Sequence, residues 1–182
     1  MAAVSLNTFK AMLRVDFEAD DALLVFYLDA AQAFIERHTR RHLSTSSKTI
    51  VLREWPTAEV TLPFPPFQSI TSITYRDTDG ATQSLTTSNY EVETDGALPR
   101  VRFYGSLPDL HDEIPRVTIV WSAGYTASTL PHDLQLAVMR LAGTFYMNPE
   151  AVSMLNLVQV PFGVRAVIDN YACPTLSGGA PE

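Results

Sequence analysis

Two histidines, His38 and His42, stand four residues apart. On a helix that spacing puts both imidazoles on one face, which is how a zinc site can begin. Such a site needs at least a third protein ligand, and none suggests itself; the HExxH pattern is also missing. Both histidines fall where a helix is expected to end, and there a protonated imidazole suits the negative pole of the helix dipole. Their preferred reading is therefore structural. Arg37, Arg40 and Arg41 share that end and have the chemistry to touch a phosphate. Dipole compensation, with pairing to Glu36 or to a neighbouring subunit, explains them more simply. Glu18, Asp20 and Asp21 lack the spaced oxygen ligands and the glycine of a calcium loop and are read as a helix start. Cys173 lies in an apolar tail with no motif around it, so no reactive role is assigned. His111 and His132 are isolated and read as surface residues. The chain has no GxSxG, no GxGxxG and no P-loop. No catalytic residue, metal site or cofactor is expected, and an enzyme would have only scattered His and carboxylate residues to work with.

More information lies in the apolar residues. The stretch from Ala19 to Leu43 reads as one long helix, at about 20–42. Asp20 or Asp21 is expected to cap its start, since a short carboxylate accepts the free N–H groups of a first turn. From Ala22 to Ile35 only Asp29 and Gln32 are polar. One stripe, Leu24, Leu28, Ala31 and Ile35, would serve a single core. Leu23, Phe26, Ala30, Ala33 and Phe34 add a second. A helix apolar on two sides is covered on two sides, and in so short a chain one cover is expected to be another subunit. Leu23, Phe26, Ala30, Ala33 and Arg37 are the candidate subunit interface, although periodicity alone does not say which stripe faces which way.

The 182 residues suffice for one domain with a real core, and a hydrophobic share of 46% excludes a disordered chain. The net charge of −7 argues against a protein that grips nucleic acid through a basic surface. One cysteine excludes an internal disulfide framework and fits an intracellular assembly compartment. No run of 18 apolar residues exists, so no membrane span is expected, and Lys10 and Arg14 interrupt any signal-peptide centre.

Along the chain, residues 5–15 read as a short helix capped by Ser5 or Asn7. From Lys48 the period changes. Strands are expected at 49–55, 59–62, 70–76, 82–85, 90–93, 100–104 and 117–121, the third imperfect because its alternation breaks at Ser72. Asp77-Thr78-Asp79-Gly80 and Asp95-Gly96 are turns. A third helix, about 131–147, opens on Pro131. The fold class is thus α+β: a helical core carrying an inserted, compact antiparallel β unit at about 48–123, all within a single domain at 1–173. After it comes an apolar tail at about 152–171, broken by Pro161 and Gly163, with a short helix expected from Val164 to Tyr171. Residues 174–182 read as disordered.

Four segments in this order resemble the head–tail connector proteins of tailed bacteriophages, also called adaptor or head-completion proteins. They are VSLNTFKAMLRVDFEADDALLVFYLDAAQAFIERHTRRHL, LPFPPFQSITSITYRDTDG, VTIVWSAGYTASTLPHDLQLAVMRLAGTFYMNPEAV and VPFGVRAVIDNY. One departure is Pro149, where a basic residue is expected after the asparagine. The resemblance implies a structural virion protein of the neck, assembled in the host cytoplasm. It implies a homo-oligomeric ring, roughly a dodecamer, that docks on the portal protein, extends the DNA channel and offers a surface to the next neck or tail component. Genome DNA would pass through the lumen without specific binding. The candidate portal-docking residues are Val160, Pro161, Phe162, Gly163, Val164, Ile168 and Tyr171. The alternative within the same particle, a phage, prophage or gene-transfer particle, is a tail-completion or other neck ring.

Overall fold

The computed structural model describes residues 3–96, 98–148 and 161–173. The chain divides into two compact units. One is made of Met1–Ser44 with Tyr125–Glu182, and the other is Thr45–Gly124. The expected tail at 152–160 and the expected disorder at 174–182 lie outside the described residues.

The first unit is helical. Helix α1 spans Leu6–Leu13. Ser5 caps it as expected, its Oγ accepting the Thr8 N–H at 3.2 Å. Helix α2 spans Asp21–Thr39. Asp20 holds the N-cap position, but its side chain caps nothing. Its Oδ2 accepts instead from the Tyr146 hydroxyl at 3.0 Å, while Asp21 pairs with Lys10 at 2.6 Å. The expected carboxylate cap is corrected: the acid pair ties α2 to its neighbours. The helix also stops three residues short of the expected 42. Arg40 takes a left-handed conformation, φ 56°, and the chain turns back so that Glu36 accepts the Leu43 N–H at 2.9 Å. Arg14 ends α1 in the same way, φ 57°. Helix α3 spans His132–Met147, with Pro131 at the N-cap, one place earlier than the first turn. Helix α4 spans Phe162–Tyr171.

These helices share one core. Leu24, Leu28, Ala31 and Ile35 of α2 meet Leu134, Val138 and Leu141 of α3, with Phe9 of α1 and Val164 and Ile168 of α4. Leu24, Ile35 and Leu134 are wholly buried. The first apolar stripe of α2 is therefore the one that faces its own unit.

Among the described residues, the second unit holds seven strands in two antiparallel sheets. Strands β1 (Ser46–Leu52), β3 (Phe67–Arg76), β4 (Thr82–Ser84) and β7 (Val117–Ala123) form one sheet in the order β1-β7-β3-β4. Strands β2 (Val60–Thr61), β5 (Tyr90–Glu93) and β6 (Arg100–Phe103) form the other, in the order β2-β6-β5. Central β7 alternates cleanly: Val117, Ile119, Trp121 and Ala123 are buried and the residues between them are not. Strand β3 starts earlier than expected and carries register shifts between Phe67 and Ser69 and between Ile70 and Ser72. Those irregularities explain the broken alternation at Ser72, since an extra residue on one strand moves the following side chains to the other face. Strand β1 ends at Leu52 rather than Trp55. Trp55 instead packs with its ring tilted against Tyr75 and Phe103 and donates its indole N–H to the Pro108 carbonyl at 2.7 Å. In the turn after β3, Asp77 accepts from the N–H groups of Asp79 and Ala81, and Gly80 takes φ 80°.

Candidate assembly surfaces on the helical unit

Helix α2 leaves its second stripe uncovered among the described residues. Leu23 is 45% exposed and Phe26 66%. Ala33 and Arg37 are exposed and Ala30 is half-buried. Phe34 departs from this group: it is half-buried and stacks on the His38 ring with centroids 4.0 Å apart. The four apolar members and Arg37 recur at helical spacing, so they line one side of α2, roughly opposite Leu24, Leu28 and Ile35.

Helix α4 divides the tail candidates. Phe162 is 89% exposed, and Gly163 is exposed beside it. Val164 and Ile168 turn inward and are 1% and 7% exposed. Pro161 and Tyr171 are half-buried. Val160 lies outside the described residues. Three polar contacts hold the end of this helix. The Tyr171 hydroxyl donates to Asp133 at 3.1 Å. Arg41 donates from Nε to the Tyr171 carbonyl at 2.9 Å, where a cation also suits the helix dipole. The Cys173 N–H donates to the Thr39 carbonyl at 2.9 Å. Of the arginines at the end of α2, then, Arg41 secures a helix of its own chain.

Electrostatics around α2 are those of a scaffold. Burial raises the Glu36 pKa, but hydrogen bonds from His42, Gln32 and the Leu43 N–H outweigh it, and its carboxyl is held below the ordinary range. The bond to Asp20 raises the Tyr146 pKa, and burial together with Asp133 does the same for Tyr171. His42 sits beyond the end of α2, 3.5 Å from Glu36, and His38 Nδ1 lies 2.8 Å from the Phe34 carbonyl. The two imidazoles therefore do not share a helix face as their spacing suggested. No group of three His, Cys, Asp or Glu residues able to hold a metal occurs among the described residues. His111 accepts from the Glu113 N–H, and His132 begins α3 exposed. In the β unit, Arg102 and Arg100 hold the Glu59 carboxylate low. No described helix is long and apolar enough to cross a membrane.

Phe17 is among the exposed apolar residues that the sequence did not single out. It lies between Asp16 and Glu18 in the α1–α2 loop and is 54% exposed. Its signal in the sequence is a lone aromatic among acids.

The arrangement is one of exposed apolar residues on a well-packed helical unit. The model of the head completion protein family matches residues 2–171. The chain belongs to the head completion protein family. Solved structures agree with that membership. The neck of an empty GTA particle, computed with C6 symmetry, contains a chain 30% identical to this one with a TM-score of 0.78, covering 98% of this chain and 94% of that one. A chain in the virion of a native gene transfer agent particle gives the same values. One in the neck of a native GTA particle computed with C12 symmetry is 30% identical, with a TM-score of 0.76 and coverage of 98% and 93%. No curated protein matches. Family membership and the α+β architecture, four helices and two antiparallel sheets among the described residues, agree with the sequence reading.

Proposed function

We propose that this chain is a structural neck protein that closes with copies of itself into a ring of roughly twelve at the head–tail junction of a virion or gene-transfer particle. The observation that carries the reading is the two-sided α2. Leu24, Leu28 and Ile35 are buried in its own unit, while Leu23 and Phe26 stand out with Ala33 and Arg37. A closed ring is built from head-to-tail contacts, so each subunit needs two different adhesive faces. An exposed apolar stripe on an otherwise well-packed helix supplies one. The C6 and C12 symmetries of the similar necks support the ring.

In this reading the subunit docks on the portal protein through the open side of α4. Phe162 is the anchor and Pro161 and Gly163 shape its approach. Val164, Ile168 and Tyr171 hold the helix in place rather than touching the partner. The ring extends the DNA channel, and the surplus of acidic residues keeps its wall from gripping the genome, because like charge gains nothing from counterion release. Its far side receives the next neck or tail component. No step of this work needs catalysis. Purified chain, alone and mixed with portal rings, tests the proposal by light scattering and negative-stain microscopy. Rings, free or on the portal, support it; a chain that stays monomeric and ignores the portal refutes it.

A further inference from the structure

The chain is charged differently at the two ends of α2, two exposed acids outnumbering exposed Arg14 at the first. At the N-terminal end, Asp16 and Glu18 flank exposed Phe17 in the α1–α2 loop, and all three point to solvent. At the C-terminal end stand exposed Arg37 and Arg40. The nearby carboxylates Asp20 and Asp21 are already engaged by Tyr146 and Lys10. Asp16, Glu18, Arg37 and Arg40 are different: their side chains make no ion pair or hydrogen bond among the described residues. They do not meet one another within one subunit, because from its first residue, Asp21, α2 rises about 24 Å to Arg37 and about 28 Å to Arg40 at 1.5 Å per residue. That distance is about the diameter of a small domain. A second copy displaced by its own width therefore brings the acidic end of one subunit onto the basic end of the next.

We infer that the exposed face of α2 is covered by a second copy of this chain, with Asp16 and Glu18 of one subunit pairing with Arg37 and Arg40 of its neighbour. The inference rests on the ring reading and gives it a direction. Phe17 enters beside Ala33, where the absence of a long side chain leaves room for a ring between the charges. The contact is heterologous: each subunit gives its loop to one neighbour and its helix end to the other, which is what closes a ring. Opposite charges placed this way set register and reject the reversed docking, in which acid would face acid.

The pairing is tested with two charge-reversed full-length chains, Arg37→Glu with Arg40→Glu, and Asp16→Lys with Glu18→Lys. Each is mixed with portal rings and followed by mass photometry and negative-stain imaging. Alone, each puts like charges at every contact, and ring formation falls by about tenfold or more relative to wild type. Mixed together, every contact becomes acid on base again, so rings return with the two chains alternating in equal number. All four side chains are exposed, so the variants keep the wild-type melting temperature; should either fail to fold, a salt series on the wild-type chain serves instead. Ring formation then weakens steadily between about 0.05 and 0.5 M salt as the pairs are screened. Three results overturn the pairing while leaving the ring standing: reversed chains that form rings as the wild type does, losses that mixing does not repair with salt-independent wild-type rings, or intact rings that no longer attach to portal. The last would turn Arg37 and Arg40 toward the portal. Wild-type chain that forms no ring at all sinks the ring reading itself.

Discussion

Phe162 and Val164 sit two residues apart on α4 and should respond to truncation in opposite ways. Phe162 is 89% exposed. A phenylalanine side chain that buries about 200 Å² when covered therefore contributes only about 20 Å² here, or ~0.5 kcal/mol at 25 cal/mol per Å². Phe162→Ala should lower the melting temperature by about 2 °C at most, taking 2–4 °C per kcal/mol for a chain of this size. Val164 is 1% exposed. Val164→Ala removes two methyl groups, ~1.6 kcal/mol of transfer energy, and the cavity brings the loss to about 2–3 kcal/mol. Its melting temperature should fall by about 5–10 °C. The proposed binding to portal should reverse the order. An exposed aromatic anchor is worth about 2 kcal/mol or more in a contact, so Phe162→Ala should weaken portal binding by about 30-fold, measured by sedimentation or interferometry per folded subunit. Val164→Ala should bind normally below its own melting transition. A Phe162→Ala chain that melts several degrees lower, with unchanged portal binding, would refute the assignment and make Phe162 part of the subunit core.

Leu24 and Phe26 give the same contrast on α2. Leu24→Ala should destabilise the subunit by about 2–5 kcal/mol, whereas Phe26→Ala, whose ring is about one-third covered, should cost at most ~1.7 kcal/mol by the same area arithmetic and reduce ring formation per folded subunit by light scattering. Glu36 has a folded pKa below its ordinary value of 4.5. Its contribution is therefore fully present above the unfolded pKa and is lost as pH falls through the folded one. Glu36→Gln should melt lower than wild type at neutral pH, and the difference should shrink as melts are taken below about pH 4.5. Tyr146→Phe removes the bond to Asp20 and should cost about 0.5–1.5 kcal/mol, read by chemical denaturation.

Much of this architecture can be read along the chain, and the failures are instructive. Strand β7 is legible because alternation alone places Val117, Ile119 and Trp121 inside. Helix α2 is legible as a helix, yet its orientation is not. Both of its stripes are apolar, so periodicity finds two faces and cannot rank them; only the packing of Leu134 and Val138 against Leu24 and Leu28 decides. Asp20 misleads for a related reason. A carboxylate at a helix start is a good cap in isolation, but Tyr146 lies 126 residues away in sequence, and a local rule cannot see it. The division of the strands into two sheets depends on equally distant pairings, such as Val60 with Val101. In the tail, sequence groups Phe162 with Val164 and Ile168 as one apolar hook. The helical period separates them, sending two inward and leaving one outside.

The helical unit is assembled from both flanks of the β unit, and this orders events during synthesis. Helix α2 leaves the ribosome long before α3, because the residues of Thr45–Gly124 intervene. At 5–20 residues per second, Leu24, Leu28 and Ile35 wait roughly 5–20 s for Leu134 and Val138 to arrive. Throughout that interval α2 is bare on both stripes, the inner and the outer. The face proposed to join subunits is thus exposed before the core beside it exists, and nascent chains on one polysome carry the same bare helix side by side. The inserted β unit, which folds from its own contiguous residues, sets the length of that delay.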